Sequence, residues 1–342
     1  MRWLGSSTDV IVLMSSSRHP RFIYFFSAVD HYELRVGQVN CQHLGVTPSI
    51  RSFEGRPFRL QQNPRRSSVS IMAQGHSSWV TRRAKAVAGW IVFRTGLYRR
   101  FRRNEAVIVV FHRVNDAYPN DPLTCTTEKF EAFVRFFGRF FDVIPLSELL
   151  RRVEAGIELA ACLAITFDDG YRGNATIAAP ILESHSQPAC FFVTTGFIDS
   201  DHVPWWDAEK KIQTRWMTWD QVRSLRASGH EVGSHTETHP DLGVIAKAEA
   251  RREISGGASR LDTELGEHSG LFAYPYGGRE NMSQENQSVV NQLGLRCSLS
   301  AYGGTVRAGD DPLRLKRTTI SEWFLSPYQF GFEFLSGRLR VD

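Results

Sequence analysis

CLAITFDDG, residues 162–170, is a run of apolar and β-branched residues that stops on two adjacent carboxylates and a glycine. A stretch this short and this continuously apolar reads as a strand buried on both faces, the kind found in a parallel sheet covered by helices. Working outward, similar runs recur at 106–112, 189–195, 230–235, 271–276, 296–300 and 313–320. Helical patterns fall between them, near 127–140, 146–155, 174–185, 218–228, 246–265, 284–293 and 326–335. Seven strands, most followed by a helix, predict an α/β barrel with its site at the C-terminal ends of the strands. An open doubly wound sheet is the competing solution, and it places ligands at the same ends.

The flanking sequence divides the chain into three parts. Residues 1–78 show no sustained period and are punctuated by Ser, Arg, Gly and Pro, so a low-order extension is expected there. Met72 precedes the first well-patterned segment and is a candidate translation start. Residues 79–105 form the second part. From Trp79 to Asn104 there are eight Lys or Arg and no acidic residue, with Val87, Trp90, Ile91, Leu97, Tyr98 and Phe101 at helical spacing. This basic amphipathic helix predicts either contact with a membrane surface over 79–103 or packing on the third part, 106–342.

Charge follows the same division. Lys and Arg outnumber Asp and Glu 17 to 5 over 1–105, whereas acidic residues lead 31 to 24 over 106–342. An acidic body excludes nucleic acid as its main ligand. With 42% hydrophobic and 23% charged residues the composition is that of a globular protein. No clear signal peptide is read, and no window approaches the ~18 apolar residues of a spanning helix. The expected location is therefore cytoplasmic or peripheral to a membrane. Five scattered cysteines without a C-x-x-C pair indicate neither a disulfide framework nor a thiolate metal site.

Two constellations carry chemistry. Where a strand ends and the chain turns, Asp168 and Asp169 can both face one pocket, and a divalent cation on one of them relieves their repulsion while the other stays free as a base. The bland reading of D-D-G is a turn or a helix cap. The second constellation is His235-Thr236-Glu237-Thr238-His239, at the end of another β-type run. Imidazoles four residues apart reach one metal if the segment makes a single helical turn. The H-E-x-x-H protease helix is excluded, because Glu237 sits one place too late and Pro240 stops a long helix.

With these motifs, T-F-D-D-G at 166–170, H-T-E-T-H at 235–239 and F-A-Y-P-Y-G at 272–277, the chain resembles the polysaccharide deacetylases of the NodB-homology type, carbohydrate esterase family four. V-F-H-R-V at 110–114, W-W-D at 205–207 and M-T-W-D at 217–220 extend the likeness over roughly 106–337, toward the subgroup associated with exopolysaccharide synthesis. The resemblance implies a distorted (β/α)7 barrel and one divalent metal, zinc by expectation though other ions suit the same set, held by Asp169, His235 and His239. It implies Asp168 as general base, the Tyr276 backbone N–H as oxyanion donor, and an N-acetylated polysaccharide or oligosaccharide as substrate.

The sequence departs from the family pattern at two places. The arginine expected in the third motif is Ala273 here, and Arg317 is the candidate replacement because a guanidinium can grip a carboxylate bidentately. The fifth motif lacks its histidine, and His112 is the candidate acid. Trp205 and Trp206 are candidate substrate contacts, since indole faces suit pyranose rings, although packing of a long loop is the plain alternative. Two other functions stay open: an amidase of the same fold acting on a small non-peptide amide, and a non-catalytic glycan-binding subunit.

Overall fold

The computed structural model describes residues 22–29, 33–40, 79–101, 104–321, 323–337 and 339. The chain divides into two units at Pro64/Arg65. In the first, Phe22–Val29 pairs antiparallel with Glu33–Asn40, with Phe22 opposite Asn40. The aromatic and β-branched content of FIYFFSAV favours such an extended pair. The other residues of 1–78, Met72 included, lie outside the described residues.

The second unit holds the seven expected strands: β1 Val107–Phe111, β2 Cys162–Phe167, β3 Cys190–Val193, β4 Glu231–Ser234, β5 Leu271–Ala273, β6 Cys297–Leu299 and β7 Thr318–Thr319. They are parallel and lie in the order β6-β5-β4-β3-β2-β1-β7. A two-residue strand, Asp142–Val143, pairs with the foot of β2. A parallel bridge from Leu299 to Leu315, just before β7, joins the two edges. The result is the distorted (β/α)7 barrel that the sequence predicts.

Around the sheet run α1 Trp79–Arg94, α2 Thr127–Phe140, α3 Leu146–Glu154, α4 Ala179–Ser184, α5 Trp205–Glu209, α6 Trp219–Ala227, α7 Lys247–Leu265, α8 Gln284–Gln292 and α9 Pro327–Leu335. Sequence punctuation sets several starts. Thr126, Ser283 and Ser326 accept backbone N–H groups at the heads of α2, α8 and α9, and Thr218 with Gln221 forms a capping box on α6. The short α5 has no periodic signal and was not expected.

Strand period divides the core into two layers. Odd-numbered residues of β1 and β2 (Val107, Val109, Phe111; Leu163, Ile165, Phe167) pack outward under the phenylalanines of α2, among them Phe130, Phe133 and Phe137. Even-numbered ones (Ile108; Cys162, Ala164) pack inward with Phe192, Leu271, Ala273, Leu299 and Leu315. Alternate side chains must take opposite faces of a strand. Extending the count by one step past β1, β2 and β4 puts His112, Asp168 and His235 on the inward side at the barrel mouth, and Arg317, just before β7 and two residues after inward Leu315, falls on the same side. Burying one phenylalanine contributes on the order of 2 kcal/mol, so a register slip that exposed this aromatic layer would be heavily penalised.

Candidate active site

Adjacent residues of an extended strand cannot both face inward, yet Asp168 and Asp169 do. Asp168 continues the ladder, its N–H donating to Phe111 O at 3.0 Å. Asp169 then takes φ +74°, and Gly170 N–H closes back on Asp168 O at 3.0 Å. This is a γ-turn of the rare positive-φ kind, and it swings the second carboxylate into the pocket of the first. The same device recurs at Tyr276, with φ +60° and Gly277 N–H on Pro275 O at 2.7 Å.

The histidines arrive differently from expectation. No helical turn joins His235 to His239; the segment is a loop in which Thr236 and His239 take φ +66° and +60°. Side chains hold it instead. Thr236 Oγ1 accepts His239 N–H at 3.1 Å. Glu253 of α7 accepts the N–H groups of Glu237 and Thr238 at 3.1 and 2.8 Å and the Thr238 hydroxyl at 2.6 Å. Helix α7 comes so close at Gly257 that a Cβ there would lie 2.5 Å from the Thr236 carbonyl carbon. Glu237 is exposed, away from the imidazoles, as the rejected protease pattern requires.

One donor atom each from Asp169, His235 and His239 lies within 4.8 Å of the others. The Nε2 atoms of His239 and His235 stand 3.2 and 3.5 Å from Asp169 Oδ1, and that buried oxygen has no hydrogen-bond partner. His235 Nδ1 lies 2.8 Å from Ala273 O, so this nitrogen carries the proton and Nε2 presents its lone pair. One carboxylate and two imidazoles, buried and with the facing oxygen unpartnered, suit a divalent cation of the zinc type. Burial pushes the Asp169 carboxyl up, and the two imidazoles outweigh it, holding the group well below the usual range.

Arg317 is fully buried and grips Asp168 as a fork, Nη1 to Oδ1 at 2.7 Å and Nη2 to Oδ2 at 2.6 Å. Its Nε donates to Ser300 O at 2.6 Å and Nη1 also reaches Thr166 Oγ1 at 3.2 Å. Against the cost of burial, Arg317 and His235 lower the Asp168 pKa, which keeps the carboxylate ionised at neutral pH. His112 follows β1 directly and lies near this group. Burial lowers its basicity, while Asp169 and Asp168 pull the other way.

Both tryptophans stand on the metal side. Trp206 lies 4.9 Å from the His239 ring and donates to Tyr171 Oη at 2.9 Å; Trp205 donates to Tyr276 Oη at 3.3 Å. The Tyr276 ring is 5.0 Å from His239. Beneath them is a network that sequence reading missed. Buried Arg113 bonds Asp207 and, at 3.3 Å, Asp121; Asp207 also accepts from Thr214 at 2.6 Å and Tyr171 at 3.4 Å. The available signal was an arginine following the apolar β1 run and an aspartate inside an aromatic loop. Trp216 and Trp219 are buried packing residues. The four described cysteines are buried free thiols, with burial pushing Cys125 and Cys297 up to about 12.

The family model for polysaccharide deacetylase matches residues 158–298, which include both motif pairs. Over that stretch the chain carries a polysaccharide deacetylase domain. The chain is 20% identical over 216 residues to YxkH of Bacillus subtilis (strain 168), whose name places it among the polysaccharide deacetylases, covering 63% of this chain and 71% of that one. It is 36% identical over 91 residues to a chitooligosaccharide deacetylase of Rhizobium leguminosarum bv. trifolii, but that match covers only 26% of this chain and 34% of the relative. Its fold is shared with the Streptococcus pyogenes deacetylase PplD, solved with acetate, at a TM-score of 0.56 and 20% identity over 66% of this chain and 96% of the other.

Proposed function

We propose that this deacetylase hydrolyses N-acetyl groups on hexosamine residues of a surface or exported polysaccharide, with a divalent cation, zinc in the first instance, held by Asp169, His235 and His239. Bound there, such a cation acidifies a water and polarises the acetamide carbonyl. Asp168 Oδ2, 3.9 Å from His235 Nε2, faces the same space and takes the proton from the attacking water. Arg317 fixes the Asp168 carboxylate in the plane of its fork, replacing the arginine that Ala273 lacks. The Tyr276 N–H donates to the oxygen that becomes negative. His112 passes on to the departing amine nitrogen the proton that Asp168 takes from the water. Trp205 and Trp206 form the wall against which a sugar ring stacks.

The observation that carries this reading is the bidentate Arg317–Asp168 pair beside the Asp169, His235 and His239 triplet, a base held ready next to a cation site. The test is acetate release from N-acetylglucosamine oligomers. Activity lost to a chelator and restored by zinc supports the reading. Full activity in metal-stripped protein refutes it.

A further inference from the structure

Helix α1 has two working faces. One packs on the barrel: Phe93 stacks on Tyr98 at 5.0 Å and meets Phe136 and Phe140 edge-on, Gly89 leaves no room for a Cβ against Tyr328, and Lys85 pairs with Glu333 at 3.1 Å. The stripe expected to do this packing mostly does not. Trp79, Val80, Val87, Trp90, Ile91 and Leu97 are between 41 and 68% exposed, six of the ten exposed large hydrophobics among the described residues. Single exposed apolar residues need no explanation, but this density within nineteen positions does.

We propose that this outer face of α1 docks on an anionic lipid membrane. Exposed Arg83, Arg94, Arg99 and Arg100 lie among the apolar side chains, and no acidic residue occurs from Trp79 to Asn104. Indole and aliphatic side chains entering the headgroup region, with guanidinium groups at its phosphates, is the arrangement of an interfacial helix. A second copy of this face would bring like charge against like charge, and nucleic acid offers no partner for an aliphatic stripe. Among the described residues no helix is long and apolar enough to cross a membrane, so the contact is peripheral. Tyr98, at the end of the segment, packs on Phe140, from which the chain enters the Asp142–Val143 strand at the foot of the barrel.

Flotation of the full chain with vesicles tests the proposal. The chain rises with phosphatidylcholine vesicles containing phosphatidylglycerol, not with phosphatidylcholine alone, and salt releases it. Combining Arg83→Gln, Arg94→Gln and Arg99→Gln weakens binding roughly tenfold to a hundredfold. Trp90→Ala with Ile91→Ala weakens it as well, while acetate release from a soluble oligomer and the circular dichroism spectrum stay unchanged. No flotation at low salt, flotation indifferent to both sets of substitutions, or a dimer abolished by the same substitutions overturns it. Shielding of Trp90 from acrylamide before any vesicle is added also overturns it, because the face is then already covered.

Discussion

Two buried charge clusters lie close together in this barrel, and they are finished to different degrees. Around Arg113 every charge is met by protein: Asp207 is held by Arg113, Thr214 and Tyr171, and Asp121 by Arg113, Lys210 and the Leu123 N–H. At the mouth Arg317 satisfies Asp168, but Asp169 Oδ1 and His239 Nδ1 are buried without a hydrogen-bond partner. A completed network fixes geometry. An incomplete one leaves charge for something that is not protein, because buried carboxylates left unmatched are costly. The first cluster thus reads as scaffold for α5 and Trp206, and the second as the reacting centre.

The sharpest break of this contrast is Asp168→Asn. It is expected to lower acetate release roughly 10²–10⁴-fold while zinc content, measured by mass spectrometry, stays near one per chain; unaltered turnover removes Asp168 from the role of base. The scaffold cluster behaves in the opposite sense. Arg113→Met strands Asp207 in the interior and should cost about 3–5 kcal/mol in denaturant unfolding, with zinc affinity far less affected than stability. Loss of zinc without loss of stability would dissolve the distinction.

Gly257→Ala is smaller in effect and sharper in aim. Its Cβ pushes α7 off the Thr236 backbone, so a cost of about 1–3 kcal/mol is expected from overpacking, together with weaker zinc binding because the histidine loop shifts. Zinc affinity equal to the parent would show that α7 does not set that loop.

The smallest effect tests whether an unpartnered atom alone marks a site. His230 accepts Ala189 N–H on Nδ1 at 3.2 Å, and its Nε2 is buried without a hydrogen-bond partner, Glu183 standing 3.8 Å away. Burial, only partly offset by Glu183, lowers its pKa from 6.5. The unfolded chain therefore binds this proton at higher pH than the folded one. The stability involved is fully present above pH 6.5 and is lost as pH falls below it toward the folded value. His230→Asn keeps an acceptor and should flatten that stretch of the unfolding profile without touching acetate release.

Much of this was legible in the sequence. All seven strands and the periodic helices lie where hydrophobic spacing put them, because buried strands and amphipathic helices are written in side chains a few residues apart. Legible too, once the motifs were joined, was that Asp168, Asp169, His235 and His239 would meet at one mouth, with Arg317 within reach of Asp168. Helix α5 was not, being too short to show a period, nor was Arg113, whose partners Asp121 and Asp207 are 8 and 94 residues away. The helical turn predicted between the histidines was wrong in form, since spacing says how far apart two ligands are and not how the chain bends.

The site itself divides along the same line. Period two determines from sequence that His112, Asp168, His235 and Arg317 fall on the inward side of their strands, since that alternation is a local property of the extended chain. Asp169, His239 and Tyr276 join them only through left-handed backbone, an arrangement unfavourable for residues with a Cβ and sustained by distant contacts. Where Glu253 and Gly257 of one helix brace the histidine loop, only the assembled barrel could decide that those side chains meet.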